Sequence, residues 1–323
     1  MRLGRSLGEG QAPRAVINDK QMLRLMTALL CALAVVPLEA QERPGRAPQT
    51  DQTVPVSRGT RLAIDNETGE VVIHVWDRDA LRVQARHASR THVNIRNANH
   101  VVNLSADGVK GPAGSVDYDI TAPAWMPVQV EGPFSDVTIE GLQSDVSIET
   151  VRGDIVLKDG SGSMTAETIE GEIVVEGRRG KMDLSSVNQG IRVTGASGEI
   201  TAETTNGSIT FSRIESSAVE AATLNGNISY DGTLRDKGRY TFTTHNGDIV
   251  LAVPDTANAT FGVRTYNGEF ASALALKGPD STKVKRGKRS IYVLGTGSAD
   301  VEMESFGGAI RLHRAVTAPN RRD

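Results

Sequence analysis

A pair of apolar residues recurs every nine positions between residues 137 and 211, and the register never slips. The pairs are Val137/Ile139, Val146/Ile148, Ile155/Leu157, Met164/Ala166, Ile173/Val175, Met182/Leu184, Ile191/Val193, Ile200/Ala202 and Ile209/Phe211. Within each pair one residue separates the two apolar positions, which is typical of a short strand with one buried face. A fixed repeat of such strands is typical of a solenoid, in which each coil contacts only its neighbours. The spacing therefore predicts a stack of short parallel strands.

The full repeat is twice as long as this spacing, because every second unit ends in Thr or Ser. These residues are Thr150, Thr168, Ser186, Thr204, Thr223, Thr244 and Thr265. Further along, the steps between the apolar anchors Val219, Tyr240 and Phe261 grow to 21 residues, as expected if insertions bulge at one corner. We predict an all-β, β-helix-like parallel solenoid with coils of about 18 residues. Val301 and Ile310 restore the nine-residue spacing and predict a closing coil.

Asn-Gly dipeptides mark the second corner of the coil. They are Asn206-Gly207, Asn225-Gly226, Asn246-Gly247 and Asn267-Gly268. We expect these pairs to supply a positive φ at low steric cost, and the stacked Asn side chains to hydrogen-bond along the column. This pattern indicates turn chemistry rather than a ligand site.

The chain divides into segments of different character. Residues 57–134 hold alternating runs with less regular spacing, which predict an irregular all-β cap and the first coils. Residues 135–314 hold the regular repeats and the closing coil, so the solenoid domain spans 57–314. Residues 41–56 are rich in Pro, Gln, Arg and Thr and predict a flexible linker, and 315–323 predict a disordered tail.

The segment Met22–Ala40 has the features of a secretory signal. Arg24 precedes an apolar run over residues 25–38, which is too short to span a bilayer, and cleavage after Ala40 is expected. We interpret residues 1–21 as a misassigned start or an extended n-region. The chain's one cysteine, Cys31, lies inside this segment, so the mature protein would contain no disulfide. We expect a periplasmic or secreted protein without a later transmembrane segment, or a protein anchored by this segment if cleavage fails.

The charge and composition exclude several functional classes. A net charge of -3 gives no general attraction to nucleic acid, and aromatics make up only 4% of the residues. The six histidines show no metal-ligand spacing, and the repeats lack the Gly-Gly-x-Gly-x-Asp motif of calcium-binding β-rolls. Sequence motifs of nucleophilic catalysis are absent. We therefore expect no cofactor, no metal and no nucleic-acid partner.

Glu149 and Glu167 are the candidate catalytic pair, because they occupy the same place in adjacent coils. Their expected separation of about 5 Å is the one that retaining glycosidases use. Glu203 continues the column, with Ser185 at the coil between. The same spacing arises wherever two glutamates stack in a parallel solenoid, so a solvated acidic face is the alternative interpretation.

A basic loop near the C-terminal end is the second candidate site. Lys283, Lys285, Arg286 and Lys288 could contact anionic lipid headgroups or cell-wall polymers, with a solvated hairpin loop as the alternative.

The string Thr-x-Asn-Gly-x-apolar occurs at 204–209, 223–228, 244–249 and 265–270, and a strand followed by proline precedes the repeats at 118–123. These features resemble the toastrack family, also labelled the putative adhesin family, of bacterial β-strand-repeat envelope proteins. The resemblance covers roughly residues 57–313. It implies an extracytoplasmic domain in envelope-stress sensing or surface interaction, without an established catalytic site.

These features together predict a non-catalytic, secreted or periplasmic β-solenoid that acts as a binding or scaffold module of the bacterial cell envelope. Its partner would be an envelope protein, a polysaccharide or an anionic lipid surface, and self-association through the solenoid ends is a further alternative. A carbohydrate-active β-helix enzyme that uses the Glu149 and Glu167 pair is the alternative from another functional class.

Overall fold

A computed structural model describes residues 49–279 and 286–315. These residues belong to one compact unit, Ala47–Asp323, and within them the regular secondary structure is entirely β. The predicted signal segment and the interpreted start, residues 1–40, lie outside the described residues. So do residues 316–323 of the predicted tail.

The described residues form 26 strands. In chain order they are β1 (Thr50–Pro55), β2 (Arg61–Asp65), β3 (Thr68–Trp76), β4 (Ala80–His87), β5 (Thr91–Ala98), β6 (Val101–Gly108), β7 (Val116–Pro123), β8 (Val128–Gly132), β9 (Phe134–Glu140), β10 (Val146–Thr150), β11 (Ile155–Lys158), β12 (Met164–Thr168), β13 (Ile173–Glu176), β14 (Arg179–Ser186), β15 (Ile191–Thr194), β16 (Ser197–Thr204), β17 (Ile209–Ile214), β18 (Ala218–Asn225), β19 (Ile228–Gly232), β20 (Arg239–Asn246), β21 (Ile249–Val253), β22 (Ala259–Thr265), β23 (Phe270–Ser272), β24 (Ser290–Leu294), β25 (Ala299–Ser305) and β26 (Ile310–Arg314).

The strands form two sheets of 13 strands each. Sheet 1 has the order β1-β4-β7-β3-β9-β11-β13-β15-β17-β19-β21-β26-β23, and sheet 2 has the order β24-β22-β25-β20-β18-β16-β14-β12-β10-β8-β2-β6-β5. A strand of sheet 2 is followed by a strand of sheet 1, and such a pair, for example β12 and β13, is called a rung. Successive rungs pair in parallel over most of the stack.

The predicted register is confirmed in the central rungs. Ile173 lies opposite Ile191, and Met164 lies opposite Met182, so each residue pairs with the residue 18 positions further along. All four side chains are buried, because alternate residues of both sheets point into the space between them. The predicted all-β parallel solenoid is therefore confirmed.

The larger coils accommodate buried tyrosines. Tyr230 and Tyr240 lie in the core, with ring centroids 5.9 Å apart, and their hydroxyls reach carbonyls in the extended corners. The Tyr240 hydroxyl donates to Ser216 O at 2.6 Å, and the Tyr230 hydroxyl donates to Thr233 O at 3.0 Å. The extra residues at this corner thus provide acceptors that buried phenols require.

The last rung in the chain does not close the stack, which corrects the sequence prediction. Val301 of β25 pairs with Tyr240 on one side and with Phe261 on the other. Rung β25/β26 is therefore inserted between β20/β21 and β22/β23, and the expected direct stacking of Tyr240 on Phe261 is wrong. The spacing within one rung fixes its own strands but carries no information about which rungs flank it.

The first rung in the chain is inserted in the same way. Rung β2/β3 lies between β8/β9 and β6/β7, with Leu62 opposite Val128 and Val71 opposite Val137. Residues on both sides of position 134 therefore share the same two sheets, and there is no structural break between a cap and the repeats. Antiparallel strands cover both ends of sheet 2, through β5 and β24, and one end of sheet 1, through β4 and β1, whereas the parallel strand β23 forms the other edge of sheet 1.

The predicted linker over 41–56 is wrong for its second half. Thr50–Pro55 forms the edge strand β1, antiparallel to β4, and Asp51 accepts two hydrogen bonds from the Arg82 guanidinium. This strand contains few apolar residues and is held by backbone pairing with β4 and by the ion pair. The hydrophobic pattern of the sequence therefore does not reveal it. Pro55 ends the strand, where a missing N–H is tolerated.

Arg178 is a fully buried cation at the corner opposite the Asn-Gly dipeptides. Its Nη2 donates to Ser144 O at 2.9 Å and Ser161 O at 3.2 Å, and its Nη1 donates to Leu142 O at 3.3 Å. The side chain thus reaches across two rungs. Gly160 occupies the corner position of the intervening rung, where a Cβ would clash with the Leu142 carbonyl oxygen.

Candidate functional site

A column of carboxylates runs along the outer face of sheet 2. Glu149 pairs in register with Glu167 on one side and with Glu131 on the other, and all three side chains are exposed. Beyond Glu167 the column continues through Ser185 to Glu203. The expectation that Glu149 and Glu167 occupy adjacent rungs is confirmed. Glu131 escaped the sequence analysis, because it precedes the segment in which the nine-residue spacing was recognised.

A second column, of mostly apolar side chains that are exposed or partly exposed, lies beside the carboxylates. From Val151 onward each member follows one of the buried Thr or Ser positions by one residue, whereas Pro133 follows Gly132, and we call this column the apolar stripe. Its members, in stack order, are Pro133, Val151, Ile169, Val187, Thr205, Leu224, His245, Phe306 and Tyr266. Val151, Ile169, Val187, Leu224 and Phe306 are between 36% and 48% exposed. At about 4.8 Å per rung the stripe is about 38 Å long.

The parts of the two columns that lie from Ser185 and Val187 onward border an open groove of about 560 Å³, which Glu149 and Glu167 do not line. It begins near Ser185 and ends at an aromatic cluster. The rings of His245 and Phe306 stack with centroids 4.6 Å apart and planes 4° apart, and Tyr266 lies 5.2 Å from Phe306. Glu203 and Glu304 also line the groove.

The groove was not predicted from the sequence. His245 and Phe306 lie far apart along the chain, and the inserted rung β25/β26 brings them together. The signal that could have found the stripe is the apolar residue that follows most of the buried Thr and Ser positions.

Buried hydroxyls hold the floor of the groove. Each Thr or Ser of the column donates to a carbonyl oxygen of the preceding rung in the stack. For example, Thr223 Oγ1 donates to Gly207 O, and Thr244 Oγ1 donates to Gly226 O, both at 2.9 Å. Every rung from Thr150 to Thr265 contributes such a bond. The backbone beneath the groove is therefore fixed.

An asparagine ladder fixes the corner next to the stripe, as predicted. Asn206 donates to Asn188 at 3.1 Å, Asn225 to Asn206 at 2.9 Å, and Asn246 to Asn225 at 2.8 Å. The expectation that the Asn-Gly pairs adopt a positive φ is wrong, because neither the Asn nor the Gly at these corners has one. Glycine is needed there for close approach instead: a Cβ on Gly226 would overlap the carbonyl oxygen of the preceding rung.

Asp248 extends this corner toward the inserted rung. Its Oδ1 accepts the Ala309 N–H at 2.8 Å, and its Oδ2 pairs with Arg311. These two contacts hold the pKa of Asp248 below its ordinary value of 3.8, and the backbone hydrogen bond is the larger cause.

The basic loop is only partly within the described residues. Lys283 and Lys285 lie outside them, whereas Arg286 and Lys288 lie within. The Arg286 guanidinium donates to Tyr266 O and to the side-chain oxygen of Asn267, so it is attached to the last rung of the stack. Lys288 is exposed.

The described residues contain no cluster of three or more His, Cys, Asp or Glu that could hold a metal ion. The part of the chain that the structure describes also holds no helix long and apolar enough to cross a membrane.

No protein-family model and no curated protein matches the chain. Among solved structures, a crystal structure of a putative cell adhesion protein from Clostridium sporogenes is similar at 11% identity and a TM-score of 0.19. That similarity covers 82% of this chain and 100% of the other.

The chemistry of the groove is that of a binding surface. It offers aliphatic side chains and a stack of aromatic rings on one wall, Glu203 and Glu304 on the other, and a hydrogen-bonded floor between them. Such a surface packs against apolar groups and pairs with cations at the same time.

Proposed function

We propose that the chain is a non-catalytic binding module of the bacterial cell envelope, which contacts its partner along the apolar stripe and the groove. The observation that carries this proposal is the stripe itself, with one exposed apolar side chain on most rungs beside a line of carboxylates. Contiguous exposed apolar surface is uncommon on soluble proteins and often marks an interaction site. The hydroxyl and asparagine ladders support the proposal, because a rigid surface loses little conformational entropy on binding.

The cellular location in this proposal is the periplasm or the exterior. It is supported by the signal-like segment Met22–Ala40 and by the resemblance of the Thr-x-Asn-Gly repeats to the toastrack family. Sequencing the N-terminus of the protein isolated from its native cells tests this part. A mature chain that begins at Gln41 is the expected result, and one that keeps Met22 would contradict cleavage.

Sedimentation with isolated cell envelopes tests the binding role of the stripe. We expect the full chain to co-sediment, and the double variant Leu224→Ser, Phe306→Ser to bind at least about tenfold more weakly, since both side chains lie on the stripe. The matched control is Ile291→Ser, which removes an equally exposed apolar side chain from the edge strand β24. Binding by the double variant at the wild-type level would refute the proposal.

One observation favours a second candidate, a carbohydrate-active enzyme. Glu149 and Glu167 stand one rung apart, about 4.8 Å, close to the 5–5.5 Å that separates the carboxyl groups of retaining glycosidases. The same register also joins Glu131 to Glu149, so it is a general property of parallel stacking here. We therefore rank the binding role first.

The release of reducing ends from envelope polysaccharide tests the enzyme. We expect none from the wild type. Release that disappears in both Glu149→Gln and Glu167→Gln, but persists in the exposed control Glu176→Gln of sheet 1, would establish the enzyme instead.

A further inference from the structure

We propose that one end of the stack, formed by β1 and β5, is the contact surface of a two-fold symmetric dimer of this chain. In this dimer, β1 of each copy extends sheet 2 of the other copy beside β5. The surface is separate from the apolar stripe and the groove, so the inference does not depend on the proposed function.

The two sheets end one strand apart at this end of the stack. Beyond rung β6/β7, sheet 1 continues with β4 and sheet 2 with β5. Sheet 1 then has a further strand, β1, which has no counterpart in sheet 2 among the described residues. Gln52 of β1 shows the consequence: it lies beside buried Val83, on the inner face, and is nevertheless exposed. The end of the stack is therefore a step, one strand deep.

Both edges of this step are open and long. β1 has six residues and β5 has eight, and each pairs with a strand on one side only within the described part of the chain. At the opposite end of the stack, Lys277 exchanges two backbone hydrogen bonds with Val293 and so covers β24, and β23 has only three residues. Long open edges readily pair with another chain. The step is thus the end of the stack that is suited to strand pairing.

The backbone of β5 presents residues whose side chains face the core. The Val109 N–H donates to Arg90 O at 2.8 Å, and bonded and non-bonded positions alternate in an antiparallel ladder. The even-numbered residues of β5 therefore bond to β6, and the N–H and C=O groups of Val93 and Ile95 point to the open edge. The side chains of these two residues pack against the core.

The backbone of β1 presents residues of the opposite kind. The Val56 N–H donates to Asp79 O at 3.1 Å, so the even-numbered residues of β1 bond to β4. The N–H and C=O groups of Asp51 and Thr53 therefore point to the open edge, and their side chains lie on the exposed outer face. In a parallel pair, a residue that bonds to the next strand lies beside one whose backbone groups point away. β1 and β5 thus match in parallel, whereas an antiparallel pair would set inner side chains beside outer ones.

A two-fold axis along the strands produces this parallel pairing. β1 runs parallel to β7, and β5 runs antiparallel to β6. β1 and β5 therefore have the same direction, because a coil turns back between its two sheets. The axis keeps that direction and exchanges the sheets, so β1 of each copy enters the step of the other. Pairing of β5 with β5 would bring the two β1 strands into the same space, and pairing of β1 with β1 would leave Val93 and Ile95 uncovered.

The side chains on both faces of the proposed contact are compatible. Across the interior, each β1 residue faces the same residue of the second copy, so Val54 meets Val54 and Gln52 meets Gln52. The valines form an apolar contact, and each glutamine amide offers a donor and an acceptor to the other. On the outer face, Asp51 comes to lie beside a strand that carries His92 and Arg96. Opposite charges on neighbouring strands are favourable.

Disulfide cross-linking of the full chain, in a Cys31→Ser background, tests the arrangement. The double variant Thr53→Cys, Asn94→Cys places thiols at the outer faces of β1 and β5. Neighbouring strands lie about 4.8 Å apart, within the range of about 4.4–6.8 Å between the Cα atoms of a disulfide. Within one copy the two outer faces lie on opposite sides of the sandwich, so a bond can form only between copies. We expect a covalent dimer of the double variant and none of either single variant. His92→Cys or Arg96→Cys in place of Asn94→Cys then identifies the register.

Sedimentation velocity measures the association without a cross-link. We expect twice the mass of one chain at high concentration and dissociation on dilution. Gln52→Glu should weaken dimerisation at least about tenfold, because two carboxylates would face each other across the axis. The matched control Gln143→Glu makes the same change at an exposed position far from the step and should leave it unchanged. Thermal unfolding identifies any variant that fails to fold, and Thr53→Pro, which removes an edge donor, then provides an independent change.

Three outcomes would overturn the inference. The first is the mass of a single chain at every concentration. The second is a cross-link in Thr53→Cys alone or in Asn94→Cys alone, which would indicate pairing of like strands. The third is a dimer that none of the three double variants traps, because its contact must then lie elsewhere. Leu224→Ser and Phe306→Ser should not affect dimerisation, so this result and the envelope-binding result are independent.

Discussion

Thr244→Val should destabilise the protein by about 1–2 kcal/mol, because it removes one hydroxyl from the buried ladder without changing the side-chain volume much. Thr244 is 2% exposed, and its Oγ1 donates to Gly226 O at 2.9 Å. Valine fills the same space but leaves that carbonyl oxygen without this donor. A buried acceptor that loses its partner costs about 1–3 kcal/mol, and the methyl group gained offsets part of this.

Urea unfolding measures the effect as a lower midpoint with an unchanged dependence on denaturant. The matched control is Thr243→Val, the same chemical change at the exposed neighbouring position, which should stay within about 0.5 kcal/mol of the wild type. Adding Thr168→Val, four rungs away, should roughly double the loss, since distant sites act independently. If Thr244→Val were as stable as Thr243→Val, the ladder could not be a source of stability.

Three further predictions concern other contacts. Arg178→Ala should lower the free energy of unfolding by at least about 3 kcal/mol in chemical denaturation, because three backbone carbonyls lose a charged donor and a cavity remains. Stability near that of the wild type would show that the guanidinium is dispensable. The pKa of Asp248 is lowered in the folded state, so its contribution to stability is present above the unfolded pKa near 3.8 and is lost as the pH falls through the lower folded pKa. In acid unfolding between about pH 5 and pH 2, Asp248→Asn should therefore lose less stability than the wild type. Gly226→Ala should lower the melting temperature by several degrees, since its Cβ would overlap a carbonyl oxygen, and an unchanged melting curve would contradict the close approach of the rungs.

The sequence predicts the central fold because its repeat has one length. Because each central coil has 18 residues, Ile173 lies beneath Ile191 independently of which side chains occupy the positions between them. The order of the end rungs could not be predicted in this way. Val301 has the same apolar pattern whether it follows Phe261 or lies between Phe261 and Tyr240, and long-range pairing decides between the two.

The candidate site was predictable only in its repetitive part. The alignment of Glu149 and Glu167 follows directly from the repeat. The aromatic wall does not, because Phe306 reaches His245 only through the inserted rung. The Asn-Gly pairs lie at the predicted corner, but the predicted reason for them is wrong. Glycine is needed there because neighbouring backbones approach closely, and not because φ is positive.

The inserted rungs mean that neither outermost rung of the stack is the first or the last rung in the chain. Rung β25/β26 has a neighbour on each side, so removing it by truncation would open a gap rather than expose a fresh surface. Both inserted rungs pair strands that are distant in the chain, such as β2 with β8 and β20 with β25, and such contacts require the closure of long loops. We therefore expect both ends of the stack to assemble late. A duplicated coil could be added in the middle of the stack without disturbing either inserted rung.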